Sequence, residues 1–211
     1  MGNLDLGSIA ITFIVFLFST ACHEAAHAWT AWKWGDSTAK DLGRVTLNPI
    51  PHIDLVGTII VPLIGLFSGT GLIGWASTPV NKNNMRDPRW GDFWTSAAGP
   101  ITNLLLATIS FILLKILLRT SLGATLGDYE EPVSLFLWTG VWLNILLMIL
   151  NLLPIPPLDG SHLLQNLLPD SLAEAYDKIR PFGLILLIAV GVTGMLGKLV
   201  NPVIAFARSM L

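Results

Sequence analysis

The chain has 211 residues, 53% of them hydrophobic and only 12% charged, with a mean hydropathy of +0.66. That is far more apolar than a water-soluble domain. The net charge of −2 says nothing about partners, no basic block suggests nucleic acid, and a single cysteine, Cys22, excludes an internal disulfide. Several apolar runs approach the ~20 residues that cross a bilayer, so the expected class is a mainly α-helical, multi-pass membrane protein of one domain.

The first predicted span covers 7–32. It has no basic n-region, it exceeds an ordinary signal-peptide h-region in length, and it carries charged groups within it, so the chain is expected to keep it. Next comes a different apolar stretch, 54–80. Glycine recurs there at 57, 65, 69, 71 and 74, and Pro62 interrupts it, so a continuous helix is not expected. Three further spans are predicted at 93–118, 133–154 and 182–206. Trp29, Trp32, Trp34, Trp90 and Trp94 cluster near span ends, as in an interfacial aromatic belt. No internal repeat, low-complexity tract or appended soluble domain is visible.

The first span contains "HEAAH", His23 to His27. Histidines at i and i+4 share one face of a helix. Two imidazoles so placed can bind one Zn²⁺ while the adjacent Glu24 reaches its water and acts as general base. The bland alternative is that these side chains merely pair inside a helical bundle. Three ionisable groups on one turn of a spanning helix are costly, which favours function.

A catalytic zinc takes three protein ligands and keeps one position open. The remaining candidates are His52, His162, Asp54 and Asp159. Asp159 lies in "NLLPIPPLDGSH" (151–162), where Pro154, Pro156, Pro157 and Gly160 break the helix and free the carboxylate to turn toward another segment. His162, three residues on, could compete with it. Cys22 lies about 100° around the helix from His23 and reads as a small packing residue.

"HEAAH", then "GPITN" (99–103), then "NLLPIPPLDG" (151–160), in this order on separate apolar segments, resemble the site-2 protease family of intramembrane metalloproteases. "LNPIPHIDLVGT" (47–58) is similar to its small prokaryotic branch, and no inserted PDZ-like domain accompanies the motifs. The resemblance runs from the first span to about residue 162. It implies that His23, His27 and Asp159 bind one zinc per chain and that Glu24 is the catalytic base. It also points to Asn151 as an amide donor to the substrate's developing oxyanion, although a helix C-terminal cap before Pro154 would explain that residue as well. Gly99, Pro100 and Asn103 read as close helix packing plus one buried amide. His52 and Asp54 could contact substrate, line the entry to the site, or pair with each other.

These ligands constrain topology. His23 is about nine residues from the end of the first span, which puts the metal ~14 Å inside the bilayer from that end. Asp159 follows the C-terminal end of the third span. The two ends must share a membrane face, so 54–80 is expected to contribute no net crossing. It becomes a re-entrant element, a helix followed by short strands, with "GWASTPV" (74–80) suited to an edge strand. An exposed strand edge in 72–80 could hold unwound substrate by β-addition. On this topology Lys33, Lys40, Arg44, Lys82, Arg86, Arg89, Lys178 and Arg180 lie on the face of the site, against Lys115, Arg119, Lys198 and Arg208 opposite. The eight-to-four excess makes the site side cytoplasmic and the N-terminus external.

The expected function is zinc-dependent hydrolysis of peptide bonds in or beside the transmembrane helices of membrane-protein substrates, as in regulated intramembrane proteolysis, within a prokaryotic cell membrane. A Ste24-like metalloprotease would need a downstream glutamate as third ligand, and Glu130, Glu131 and Glu174 all lie in polar loops. A non-catalytic metal carrier or scaffold remains the alternative from another class. Substrate identity and oligomeric state are not written in the sequence.

Overall fold

The computed structural model describes residues 6–68 and 76–211. Within them the chain is helical: α1 Leu6–Trp34, α2 Thr38–Asp41, α3 Val61–Ser68, α4 Pro88–Arg119, α5 Leu122–Leu126, α6 Glu130–Asn151, α7 Asp159–Leu167, α8 Asp170–Asp177, α9 Gly183–Val192 and α10 Met195–Ser209. Three stretches are long and apolar enough to cross a membrane: Leu6–Trp34, Pro88–Arg119 and Leu122–Asn151. They correspond to the first, second and third predicted spans, extended by a few residues at most ends.

The helix α4 starts on a local signal. Asp87 precedes Pro88 and its carboxylate accepts from the backbone N–H groups of Arg89 and Trp90, which satisfies two donors at the helix start, while proline at the first position loses nothing. The helices α1, α4 and α6 pack as a bundle. Val15, Phe16, Leu143 and Leu147 form one buried cluster between α1 and α6. Ala107, Val141, Ile145 and Val200 form a second, which brings α10 against α4 and α6. At Gly140 a Cβ would come within 2.5 Å of Ser110 Oγ, so glycine lets α6 approach α4 closely, as small residues do between membrane helices.

The predicted fourth span is not one rod. Its helices α9 and α10 meet at a bend of 57°, where Gly194 adopts φ +68°. A glycine in the left-handed region just past a helix end is a common stop signal, because it carries no Cβ penalty. The second half leans on the bundle through Val200. Its far end is tied to α4, where Arg119 donates from Nε and Nη2 to the Leu211 carbonyl at 3.0 and 2.7 Å.

The glycine-rich stretch begins with a wide helical turn, Leu55–Ile60, that runs into α3. Residues 69–75 lie outside the described part, so the expected strand at 74–80 is visible only over 76–80. Those residues are irregular, and no strand occurs among the described residues. Thr78 and Arg44 hold the stretch by side chain instead of a ladder: Thr78 Oγ1 donates to the Glu24 carbonyl at 3.2 Å and Arg44 Nη1 to the Ser77 carbonyl at 2.6 Å. Just beyond α1, Asp36 accepts from the Asn81 backbone N–H at 2.7 Å and from Asn84 Nδ2 at 3.0 Å, and the Arg86 N–H bonds the Trp34 carbonyl at 2.9 Å. The chain therefore leaves the end of α1 and returns to it before α4 begins.

Candidate metal centre

His23, Glu24 and His27 are buried on one stretch of α1. Each imidazole is fixed through Nδ1 by a different helix-borne acceptor. His23 Nδ1 lies 2.6 Å from Asn103 Oδ1. The Asn103 amide donates in turn to Asn144 Oδ1 at 2.9 Å, and Asn144 Nδ2 donates to Ser19 Oγ and the Gly140 carbonyl. His27 Nδ1 lies 2.6 Å from the Thr95 carbonyl. A neutral ring that gives its Nδ1 proton to an oxygen keeps Nε2 as a lone pair, the form that ligates a metal.

Those two Nε2 atoms are 2.9 Å apart. Asp159, at the first turn of α7, meets them with Oδ2 at 3.2 Å from His23 and Oδ1 at 3.4 Å from His27. Three electron-rich groups thus converge, and no hydrogen bond from the protein satisfies the buried Asp159 Oδ2. A cation at the meeting point would relieve that repulsion. The remaining wall is Gly99 of α4. A Cβ there would lie 2.5 Å from Nε2 of both histidines, so the absence of a side chain leaves the space open. Two imidazoles and a carboxylate within 4.8 Å of one another are a donor set suited to a first-row divalent ion.

The group faces a cavity of about 570 Å³. Its lining brings Glu24 and Thr20 of α1 together with Ser77, Thr78 and Val80, the α4 residues Asp92, Thr95 and Ser96, and Asn151 and Asp159. The cavity thus combines a metal-type donor set, a carboxylate next to it, and a wall of irregular backbone.

A family model described as Peptidase family M50 matches residues 11–132 and 128–190. The chain is 36% identical over 204 residues to "Putative zinc metalloprotease YwhC" of Bacillus subtilis (strain 168), covering 96% of this chain and 88% of the relative. It is 28% identical over 197 residues to "Putative zinc metalloprotease Rip2" of Mycolicibacterium smegmatis (strain ATCC 700084 / mc(2)155), covering 92% and 71%.

The chain belongs to peptidase family M50.

The site-2 protease resemblance read from the motifs is thereby borne out. A similar protein of Methanocaldococcus jannaschii, "Putative zinc metalloprotease MJ0611", matches 52% of the chain at 30% identity. The comparison with solved structures returned no significant match.

Among the residues singled out in sequence, His23, His27 and Asp159 meet in this M50 chain, and Glu24 lines the same cavity. Asn151 lines it too, with Nδ2 donated to the Leu147 carbonyl at 3.0 Å. Asn103 is the acceptor that orients His23. His162 turns to Asp92, with Nδ1 3.3 Å from Oδ2. His52 and Asp54 lie apart from the cavity. His52 Nε2 bonds the Thr46 carbonyl at 2.9 Å. Asp54 caps the Leu55–Ile60 turn, accepting from the Gly57 N–H at 2.6 Å while its own N–H donates to Thr58 Oγ1.

Sequence reading passed over Asp92, Asn144, Ser19 and the Thr95 carbonyl. Asp92 was detectable in principle. It is a carboxylate one residue before the predicted span start at 93, and in the structure it is buried well inside α4.

Proposed function

We propose that this M50 chain is a zinc-dependent intramembrane endopeptidase that hydrolyses peptide bonds in or beside the transmembrane helices of membrane proteins. The observation that carries the reading is the convergence of His23, His27 and Asp159 beside Glu24. The relatives' names support zinc as the metal. One ion per chain would be held by those three side chains, leaving a position free.

Bound there, zinc supplies Lewis-acid activation of water and of the scissile carbonyl. The residues of the chain do the rest. Asn103 and the Thr95 carbonyl hold the two imidazoles in the ligating form. Glu24, one residue after His23, takes the proton of the attacking water and passes it toward the leaving nitrogen. Asn151 would turn its amide from the Leu147 carbonyl to the substrate oxygen. Substrate enters as locally unwound chain, because a helical peptide bond is hydrogen-bonded and sterically covered. The irregular backbone at 76–80 would align that chain by strand addition, with Ser77, Thr78 and Val80 along the cavity wall.

For the topology, four membrane passes with 54–80 re-entrant agree best with the contacts. The bonds Arg44–Ser77 and Asp36–Asn81 return the stretch to its starting end, and the α9–α10 pair would make one bent pass. The basic residues on that side favour the cytoplasmic face of a prokaryotic cell membrane, with the bilayer and its helical proteins as partners.

Glu24→Gln tests the reading. The variant keeps shape, so it should fold and bind zinc as the unaltered protein does, while general-base loss lowers cleavage of a transmembrane substrate by about 10²–10⁴-fold. Metal analysis and a cleavage assay on the same detergent-purified sample decide. Cleavage at the normal rate by zinc-loaded Glu24→Gln would sink the mechanism and favour a metal carrier.

A further inference from the structure

A second cluster of ionisable side chains stands beside the metal group without belonging to it. Asp92 of α4 is buried, and its Oδ2 accepts from Asn166 Nδ2 at 2.7 Å and faces His162 Nδ1 at 3.3 Å. His162 follows Asp159 by three residues on α7, so the two share a helix face with Cβ atoms about 5–6 Å apart. Asp92 precedes Thr95 by the same spacing on α4, and Thr95 is the residue whose carbonyl holds His27. The pair therefore lies one helical turn from Asp159 on α7 and one turn from the anchor of His27 on α4.

The two members differ in exposure. The Asp92 side chain is 9% exposed and the His162 side chain 31%, and both border the cavity. With Nδ1 turned to the carboxylate, Nε2 is the ring atom left for the cavity, and no group among the described residues bonds it.

A simple latch between α4 and α7 does not explain this arrangement. Arg89 already ties the two, donating from Nε to the Asn166 carbonyl at 2.7 Å and from Nη2 to the Leu168 carbonyl at 3.0 Å. An imidazole backed by a buried carboxylate is instead the usual way to keep a ring oriented and able to carry positive charge, since the carboxylate supplies the counter-charge.

We infer that His162, oriented by Asp92, is a catalytic residue that donates from Nε2 to the scissile carbonyl oxygen as that oxygen becomes negative. The assignment rests on the hydrolytic reading above. It divides the work between helices: Glu24 of α1 handles the water proton, and His162 of α7 joins the Asn151 amide of α6 at the developing oxyanion. Asp92 is then a positioning residue. No covalent bond to His162 forms or breaks in the step.

The test uses the full-length, zinc-loaded protein in detergent with a transmembrane substrate and a phosphinic peptide that mimics the tetrahedral carbon and its oxyanion. His162→Ala should keep its zinc and its KM and lose roughly 10²–10³-fold in kcat, the usual cost of one oxyanion donor. It should bind the phosphinic peptide more weakly by a similar factor. Asp92→Asn should lose about 10–100-fold. Asn166→Ala removes the other bond to Asp92 but leaves the ring, and should lose far less than His162→Ala. If His162→Ala does not fold, His162→Gln, which keeps a side-chain N–H donor, is measured instead and should retain part of the lost rate and inhibitor affinity. Unchanged kcat in His162→Ala, loss of its zinc, or equal losses in His162→Ala and Asn166→Ala would overturn the assignment. Glu24→Gln runs in parallel: if it cleaves normally the hydrolytic reading fails, and if it is inactive while His162→Ala is normal, only the role of His162 fails.

Discussion

The α1–α4–α6 bundle and the α9–α10 pair are both apolar in sequence, yet they bury opposite things. The bundle encloses polar side chains: Ser19, His23, Glu24, His27, Asn103 and Asn144 are all buried. The pair displays apolar ones, with Leu184 at 68%, Ile188 at 57% and Val192 at 83% exposure. In water this would be inside out. In lipid it is the stable arrangement, because tails solvate aliphatic surface at no cost while every polar group must find a partner within the protein. The difference teaches where a change should hurt. Polar groups in the bundle are linked and few, whereas apolar groups on the pair are many and interchangeable.

The contrast can be broken most sharply at Gly99. In Gly99→Ala the new methyl would occupy the space between His23 and His27 Nε2, and neither ring can move without leaving Asn103 or Thr95. Loss of bound metal and of cleavage is expected, measurable by metal analysis of the purified variant. A variant with full metal content would show that the histidines do not ligate where they stand.

A smaller effect is expected one bond further out. Asn103→Ala removes the acceptor for His23 Nδ1 and the donor to Asn144 together. Metal affinity should fall about 10–100-fold, as for other groups that orient a ligand, and added zinc should recover activity. A competition titration with a chelator measures this. Unchanged affinity would mean that helix packing alone orients the ring.

The junction outside the bundle supplies an intermediate case. Asp36 is buried beyond the end of α1. Burial alone would raise its pKa, but hydrogen bonds from Thr38, Asn81 and Asn84 outweigh that and hold the carboxyl below its ordinary value. A depressed carboxylate contributes stability above its unfolded pKa, and that stability is lost as pH falls through the folded one. Asp36→Asn should therefore melt below the unaltered protein at pH 7, and the gap should close below about pH 4. A gap independent of pH would assign the effect to shape instead of charge.

The smallest effect is expected on the pair. Val192→Leu exchanges one apolar side chain for another on an exposed surface and should shift stability by no more than about 0.5 kcal/mol, with cleavage unchanged. A large loss of activity would show that this face meets substrate and does more than meet lipid.

Much of the site was legible in the chain. His23, Glu24 and His27 are local, because i to i+4 on a helix fixes their neighbourhood whatever the rest does. Asp159 stood out because prolines ended the helix before it. The spans at α1, α4 and α6 followed from apolar length. The broken fourth span was less legible, since Gly191, Gly194 and Gly197 are all tolerated in membrane helices and nothing local says which one takes the left-handed turn.

What the sequence by itself determined is thus the helix count in the bundle, the metal-type motif and the family. What only the tertiary structure decided is which distant residues complete the site. Asn103 lies 80 residues from His23, and Asn144 lies 125 from Ser19; Asp92 and His162 are 70 apart, and Gly99 faces both histidines. Such pairings depend on how far each helix is rotated about its own axis. A water-facing helix announces that rotation by its polar stripe. These helices are apolar nearly all round, so the rotation is set by packing of small residues and by the few buried amides finding each other, and it becomes visible only when the helices are brought together.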